Sequence, residues 1–223
     1  MNVLCITNRK LCERSFPEQI KYIASMHPWG IILREKDLSL SEYEKLSLDA
    51  LDICSKENIP LFLHGIDTAE PDDIIDFIIE NNATSMKKFS GVHLSMGDFK
   101  KVLIHYQNKF QNDYSPMDEG LEKNILHGED VLIGVSAHSL EDALFCEKHG
   151  AAYITASHIF PTDCKKGLPP KGIPFLKEIC ENTKIPVFAL GGINRENAAE
   201  CIIAGAYGVS VMSECMKNDF NIY

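Results

Sequence analysis

Eight short runs rich in Val, Ile, Leu and Phe recur along the chain: VLCIT (3–7), GIILR (30–34), PLFLH (60–64), GVHLS (91–95), VLIGVS (131–136), AYITAS (152–157), PVFALG (186–191) and YGVSVM (207–212). Each is nearly continuous in its apolar character, the pattern of parallel strands covered on both faces. Between most of them lie segments with helical spacing. In SLSEYEKLSLDALDICSKEN the apolar residues Tyr43, Leu46, Leu48, Leu51 and Ile53 recur close to the helical period. PDDIIDFIIENN opens on Pro71 followed by acids, good chemistry for a first turn. SLEDALFCEKHG has Ser139 as a cap, an acid at Asp142 and Gly150 as a stop, and NRENAAECIIAG runs from Asn194 to Gly205.

Eight strands alternating with helices predict a (β/α)8 barrel, for which ~200 residues suffice. The prediction is one domain spanning residues 1–223. An open doubly wound sheet is the alternative, but no G-x-G-x-x-G follows the first strand. NIPLFLHGI (58–66) echoes KIPVFALGGI (184–193), as half-barrel repetition or a shared turn grammar would produce. Two parts fit the alternation less well. Residues 107–129 form a polar excursion, which lies away from a barrel active site if a helix covers roughly 97–106. After VMSE only nine residues remain, too few for a long eighth helix.

Composition narrows the function. The hydrophobic share of 45% and charged share of 24% are those of an ordinary globular protein. A net charge of −10 argues against a general nucleic-acid binder, so local clusters of Lys and Arg need a local reason. The opening MNVLCITNRK has no positively charged region before its first apolar run, and no apolar run approaches the ~20 residues of a membrane span. A cytoplasmic protein with no membrane partner is expected. The eight cysteines include no C-x-x-C pair, so they read as reduced thiols acting as small hydrophobes.

In a (β/α)8 barrel the active site gathers at the C-terminal strand ends. Those ends carry Arg34, Glu35 and Lys36; His64 and Gly65; Asp98; Ser136 and His138; the segment ASHIFPTDCKKG (156–167); Gly191 and Gly192; and Met212 and Ser213. A glycine turn opening onto a helix, next to a short helix after strand eight, offers the backbone N–H groups of the phosphate site common in this fold. Arg34, Lys36 and Lys165 are predicted to converge on one mouth and to suit an anionic small molecule. The Arg34 fork matches a carboxylate or phosphate ligand, and equally a salt bridge to Glu35. Lys166 reads as a solvated surface lysine. His158 is the candidate proton carrier, since an imidazole moves protons in either direction near neutral pH. Cys164 would need activation to act as a nucleophile, and reads first as a packing residue, then as a ligand contact.

The series LREK (33–36), GVHLSMGD (91–98), GVSAHSLEDA (134–143), HIFPTDCKKG (158–167), LGGINREN (190–197) and AGAYGVSVMS (204–213) resembles the thiamine phosphate synthase/TenI superfamily, in family order and over nearly the whole chain. The resemblance implies a (β/α)8 barrel that holds a thiazole phosphate. Synthases of this family carry an Asn-Asp pair after strand three and an Asp after strand four, which hold a pyrimidine diphosphate and its magnesium. Here strand three ends His64-Gly65, and only Asp98 matches. Synthases also read G-P-[IV]-[FY]-P-T-x-T-K after strand six. This chain has SHIFPTDCKKG, with His158 in place of the proline and Cys164 in place of the second threonine. That version is similar to the thiazole tautomerase branch, TenI, whose proposed acid/base is the histidine of this motif.

The resemblance therefore implies aromatisation of a carboxythiazole phosphate tautomer, with His158 moving the proton and no metal or redox cofactor. It implies Gly191, Gly192, Met212 and Ser213 around the phosphate and Arg34, Lys36 or Lys165 on the carboxylate. Ser136, Thr162 and Cys164 would line the ring. The alternatives are a thiamine phosphate synthase using magnesium at Asp98, and a non-catalytic thiazole or thiamine phosphate-binding regulator. The expected partner is the small molecule alone, with homo-oligomerisation open. His64 and His138 carry no assigned role.

Overall fold

The computed structural model describes residues 1–110 and 131–221. All eight apolar runs are strands: β1 (Asn2–Ile6), β2 (Gly30–Leu33), β3 (Leu61–His64), β4 (Gly91–Ser95), β5 (Leu132–Ala137), β6 (Tyr153–Ser157), β7 (Val187–Leu190) and β8 (Gly208–Val211). Each pairs in parallel with its neighbours in sequence, and β1 pairs with β8 to close the barrel. The helices are α1 (Phe16–Ala24), α2 (Leu40–Lys56), α3 (Pro71–Thr84), α4 (Met96–Phe110), α5 (Leu140–Lys148), α6 (Gly172–Asn182) and α7 (Ala198–Ile203). No helix among the described residues is long and apolar enough to cross a membrane. Of the polar excursion, residues 107–110 extend α4, and 111–129 lie outside the described residues.

Local chemistry starts several helices. Ser15 and Glu18 form a capping box before α1, with Pro17 in its first turn, and Ser39 and Glu42 do the same for α2. The stripe of α2 is not the one its leucines suggest. Tyr43, Ser47, Ala50, Leu51 and Cys54 are buried, whereas Leu48 is 42% exposed. A small thiol and a serine take inward positions, and Ser47 satisfies its hydroxyl on Tyr43 O at 2.7 Å. The Tyr43 hydroxyl donates to Leu33 O (2.6 Å) and accepts from His64 N (2.9 Å), which ties the ends of β2 and β3 together. None of the described cysteines is bonded to another. Burial pushes the Cys54 and Cys146 thiols up to about 12, so they pack as neutral small side chains.

Among the described residues, no long helix follows β8. A single 3-10 turn, Glu214–Met216, takes its place. The tail is held by α1: Gln19 Nε2 donates to Cys215 O (2.6 Å) and the Tyr22 hydroxyl to Phe220 O (2.7 Å).

The barrel interior divides into two zones. Phe62 on β3 and Tyr153 on β6 have ring centroids 5.4 Å apart, although these strands do not pair, so the contact passes through the barrel. Trp29 stands just before β2 and meets the rings of Phe62, Tyr153 and Phe188 at 5.7, 5.3 and 4.8 Å. This aromatic plug closes the N-terminal end. Phe62 and Phe188 are the equivalent residues of the sequence echo, and both point inward. Side chains alternate along a strand, so the residues two and four places further on also face inward, now at the opposite end. They are largely polar.

Gly134 makes room for the plug. A Cβ there would lie 2.1 Å from the Tyr153 ring. Gly134→Ala is therefore expected to destabilise the barrel by about 1–3 kcal/mol, read as a lower urea midpoint. An unchanged midpoint would mean that Tyr153 moves freely.

Candidate functional site

Above the aromatic plug, the inward positions carry His64, His93, Ser136, Thr155, Ser157 and Ser210. The sequence reading missed most of these. Their signal is a period of two within AYITAS and GVHLS, masked by the apolar residues between them. His93 Nδ1 is 3.1 Å from the Tyr153 hydroxyl and its Nε2 is 3.0 Å from Ser136 Oγ. Thr155 Oγ1 donates to Ser136 Oγ at 3.3 Å. Burial holds His93 well below the usual imidazole range, and neighbouring His64 adds to this. His64 donates Nδ1–H to Gly65 O at 2.7 Å. Burial lowers its pKa to about 4 against that bond, with Arg34 and Lys36 pushing further down and Asp98 pushing back. Arg34, Lys36, His64 and Asp98 thus share one side of the mouth.

The salt bridge offered as an alternative for Arg34 does not form. Glu35, only 2% exposed, accepts from Thr7 Oγ1 (2.7 Å), Arg9 N (2.9 Å) and Arg9 Nη1 (3.0 Å). A buried carboxylate takes every donor within reach, and the β1 loop supplies them. The Arg34 backbone N–H donates to the same Thr7 hydroxyl at 2.9 Å, so this network sets where Arg34 leaves β2. The half-buried Arg34 guanidinium has no ion-pair partner among the described residues. Lys36 stands 3.6 Å from the exposed Asp67. Asp98 lies in the first turn of α4, where Ser95 Oγ donates to its Oδ2 (2.7 Å) and accepts from its N–H (3.1 Å), a cap for that helix.

Across the mouth, the loop after β6 lies on the turn after β7. Ile159 N donates to Leu190 O and Phe160 N to Gly191 O, both at 3.0 Å. The two glycines are needed for this approach. Gly191 and Gly192 have φ of +103° and +65°, and a Cβ would come within 2.4 Å of His158 Cβ at the first and 2.3 Å of Pro161 O at the second. Among the described residues, the N–H groups of Gly192, Ile193 and Ser213 have no acceptor. Met212 is half-buried against the interior cluster and Ser213 is exposed at the start of the final 3-10 turn.

His158 is 6% exposed, and its buried Nε2 has no hydrogen-bond partner among the described residues. His138 is exposed, with Nδ1 3.1 Å from Ser157 Oγ. The Lys171 ammonium donates to His138 O and sits 4.6 Å from the centre of the Phe175 ring. Lys165 and Lys166 are exposed on the β6 loop, as expected for Lys166, and Lys165 acts on Lys171; Arg34 and Lys36 act on His64. Half-buried Thr162 accepts from Lys165 N through its carbonyl at 3.1 Å, and Cys164 stands in the 3-10 turn Asp163–Lys165. Among the described residues no group of three His, Cys, Asp or Glu side chains is placed to hold a metal ion.

Fold and site together define the class: a (β/α)8 barrel whose polar groups are gathered at the C-terminal mouth around cations and unpartnered N–H groups. A family profile described as "Thiamine monophosphate synthase" matches residues 118–215. The chain is 34% identical to the thiamine-phosphate synthase of Clostridium novyi over 84% of its own length and 76% of that protein. It is 32% identical to the thiamine-phosphate synthase of Clostridium acetobutylicum over 93% and 83%. A solved structure described as thiamine phosphate pyrophosphorylase from Pyrococcus furiosus is similar with a TM-score of 0.70 and 26% identity, covering 98% of this chain and 89% of that one. The chain belongs to the thiamine-phosphate synthase family. The names of these relatives favour the synthase over the tautomerase that the β6 segment suggests.

Proposed function

We propose that the protein is a thiazole tautomerase of thiamine biosynthesis, which converts the non-aromatic carboxythiazole phosphate tautomer into its aromatic isomer. The observation that carries this reading is the His158 imidazole, enclosed on the glycine turn with Nε2 unpartnered. Leaving a buried polar nitrogen without a partner costs about 1–3 kcal/mol, and in this reading a ligand that displaces the side chains covering Nε2 supplies the partner.

In this reading the phosphate lies on the N–H groups of Gly192, Ile193 and Ser213. The carboxylate faces Arg34 or Lys36, and Ser136 meets the ring. His158 Nε2 takes the proton from ring C2. That C–H bond's electron pair moves into the ring, and the ring's electrons move out towards the exocyclic carbon. The same nitrogen then delivers its proton to that carbon. No net proton, electron or leaving group is exchanged. Aromatisation supplies the driving force, so the chain supplies position and a proton path. Arg34→Gln is expected to raise KM roughly tenfold with kcat little changed, the signature of lost uniform binding. An unchanged KM would place the carboxylate elsewhere.

The second reading is a thiamine-phosphate synthase, favoured by the names of relatives that match 84% and 93% of the chain. Those identities are averages over most of the chain, while branches of a family part at the mouth. The donors there do not fit the magnesium a synthase would use. Asp98 is a single carboxylate already engaged by Ser95, His64 gives its Nδ1–H to Gly65 O, and Arg34 and Lys36 lie on the same side. Magnesium demands hard oxygen donors and is repelled by cations. Purified protein offered both substrates, with and without magnesium, separates the two readings. Metal-independent aromatisation is expected. Magnesium-dependent release of pyrophosphate without tautomerisation would overturn the proposal.

A further inference from the structure

Tyr153 sits in the aromatic plug and is 1% exposed. Among the described residues its hydroxyl has one hydrogen-bond partner, His93 Nδ1 at 3.1 Å. A buried phenol is costly unless its proton is donated, and Nδ1 is the acceptor within reach. A neutral imidazole has one donor and one acceptor nitrogen, so an accepting Nδ1 puts the ring proton on Nε2. Nε2 faces Ser136 Oγ at 3.0 Å, and Thr155 Oγ1 donates to the same oxygen. Both lone pairs of Ser136 Oγ are then occupied, and its own proton points to neither neighbour. Ser136 is half-buried at the mouth end of β5.

We infer that Tyr153 and His93 form a positioning relay that fixes the Ser136 hydroxyl as a hydrogen-bond donor to the bound heterocycle, so that the ligand atom facing Ser136 is an acceptor. The inference rests on the proposed binding of a thiazole phosphate. The acceptor is the ring nitrogen or a carboxylate oxygen. Burial of His93 among His64, Tyr153 and Ser136 keeps the ring neutral, which lets one nitrogen accept while the other donates. The aromatic plug thereby does more than fill the barrel floor. It determines the polarity of a group about one strand layer above.

Long-range proton–nitrogen correlation spectra of the unliganded protein, labelled with 15N-histidine, test the relay without any ligand. The His93 signal is the one missing from His93→Gln. The Nε2–H tautomer is expected, and an Nδ1–H tautomer in the wild-type protein would overturn the inference. Tyr153→Phe is expected to move the His93 proton towards Nδ1. It should also weaken binding of hydroxyethylthiazole phosphate about three- to tenfold, as the loss of one oriented hydrogen bond predicts, with affinity for inorganic phosphate unchanged. Thr155→Val, which frees one Ser136 lone pair without touching the plug, should give a smaller loss and covers the case in which Tyr153→Phe folds poorly. Ser136→Ala identifies the acceptor. A loss with both carboxylated and uncarboxylated thiazole phosphate points to the ring nitrogen, and a loss confined to the first points to the carboxylate. Unchanged affinity in Ser136→Ala and Tyr153→Phe together would refute the relay. Failure of the wild-type protein to bind either thiazole phosphate would refute the functional reading instead, and the unliganded spectrum would still decide the tautomer.

Discussion

His158→Asn is expected to lower tautomerase turnover by about 10²–10⁴, the contribution of a positioned general acid/base. In activation free energy this is roughly 3–5 kcal/mol. Asparagine keeps a polar group on the Gly191 turn and removes the ability to gain and lose a proton. The loss should therefore fall on kcat, with binding of hydroxyethylthiazole phosphate retained. Steady-state kinetics with far-UV circular dichroism on the same samples provide the check. A folded variant that keeps near-full activity would remove His158 from the mechanism. The result also separates an enzyme from a non-catalytic regulator, for which the substitution would change little.

Acidification is the second change with a large expected effect. The folded pKa of His64 is about 4, against about 6.5 for an ordinary imidazole. Between those values the unfolded chain binds a proton that the folded chain does not. Stability from the neutral, buried ring is therefore complete above pH ~6.5 and falls as the pH drops towards 4. The total from this one group is roughly 3 kcal/mol. His93 is shifted in the same direction by its burial, so its penalty adds. Urea midpoints at pH 7, 6 and 5 should decline, and His64→Gln should flatten the decline. Equal slopes for both proteins would show that His64 is not the titrating group. The onset near pH 6.5 distinguishes the histidines from Asp37 and Asp52, whose carboxylates are held below their ordinary range by Arg9 and Lys10 and by Lys87 and titrate only at lower pH.

Much of the scaffold was legible along the chain, because its causes are local. The apolar runs are strands since a strand covered on both faces has no reason to alternate strictly. The Ser15–Glu18 box was equally present in the sequence and, though it was not read, marks the start of α1. The glycine pair at 191–192 was legible as a tight turn. That its Cβ-less surface is occupied by His158 and Pro161 was not, because the loop that covers it comes from the preceding strand. The α2 spacing was legible only in part: Tyr43 and Leu51 are buried as the period suggests, whereas Leu48 is exposed and Ser47 and Cys54 turn inward.

Hydrophobic period and capping act over a few residues, so the eight strands, their order, most of the helices between them and the segments at the strand ends could be read along the chain. Which side chains face each other at the mouth depends on closure of the barrel. Glu35 holds Arg9 across 26 positions in the chain, and His93 meets Tyr153 across 60. Closing the barrel removes water from these groups and leaves each polar atom the partners that strand register brings within reach. Pairing of that kind depends on distance in space, which spacing along the chain does not encode.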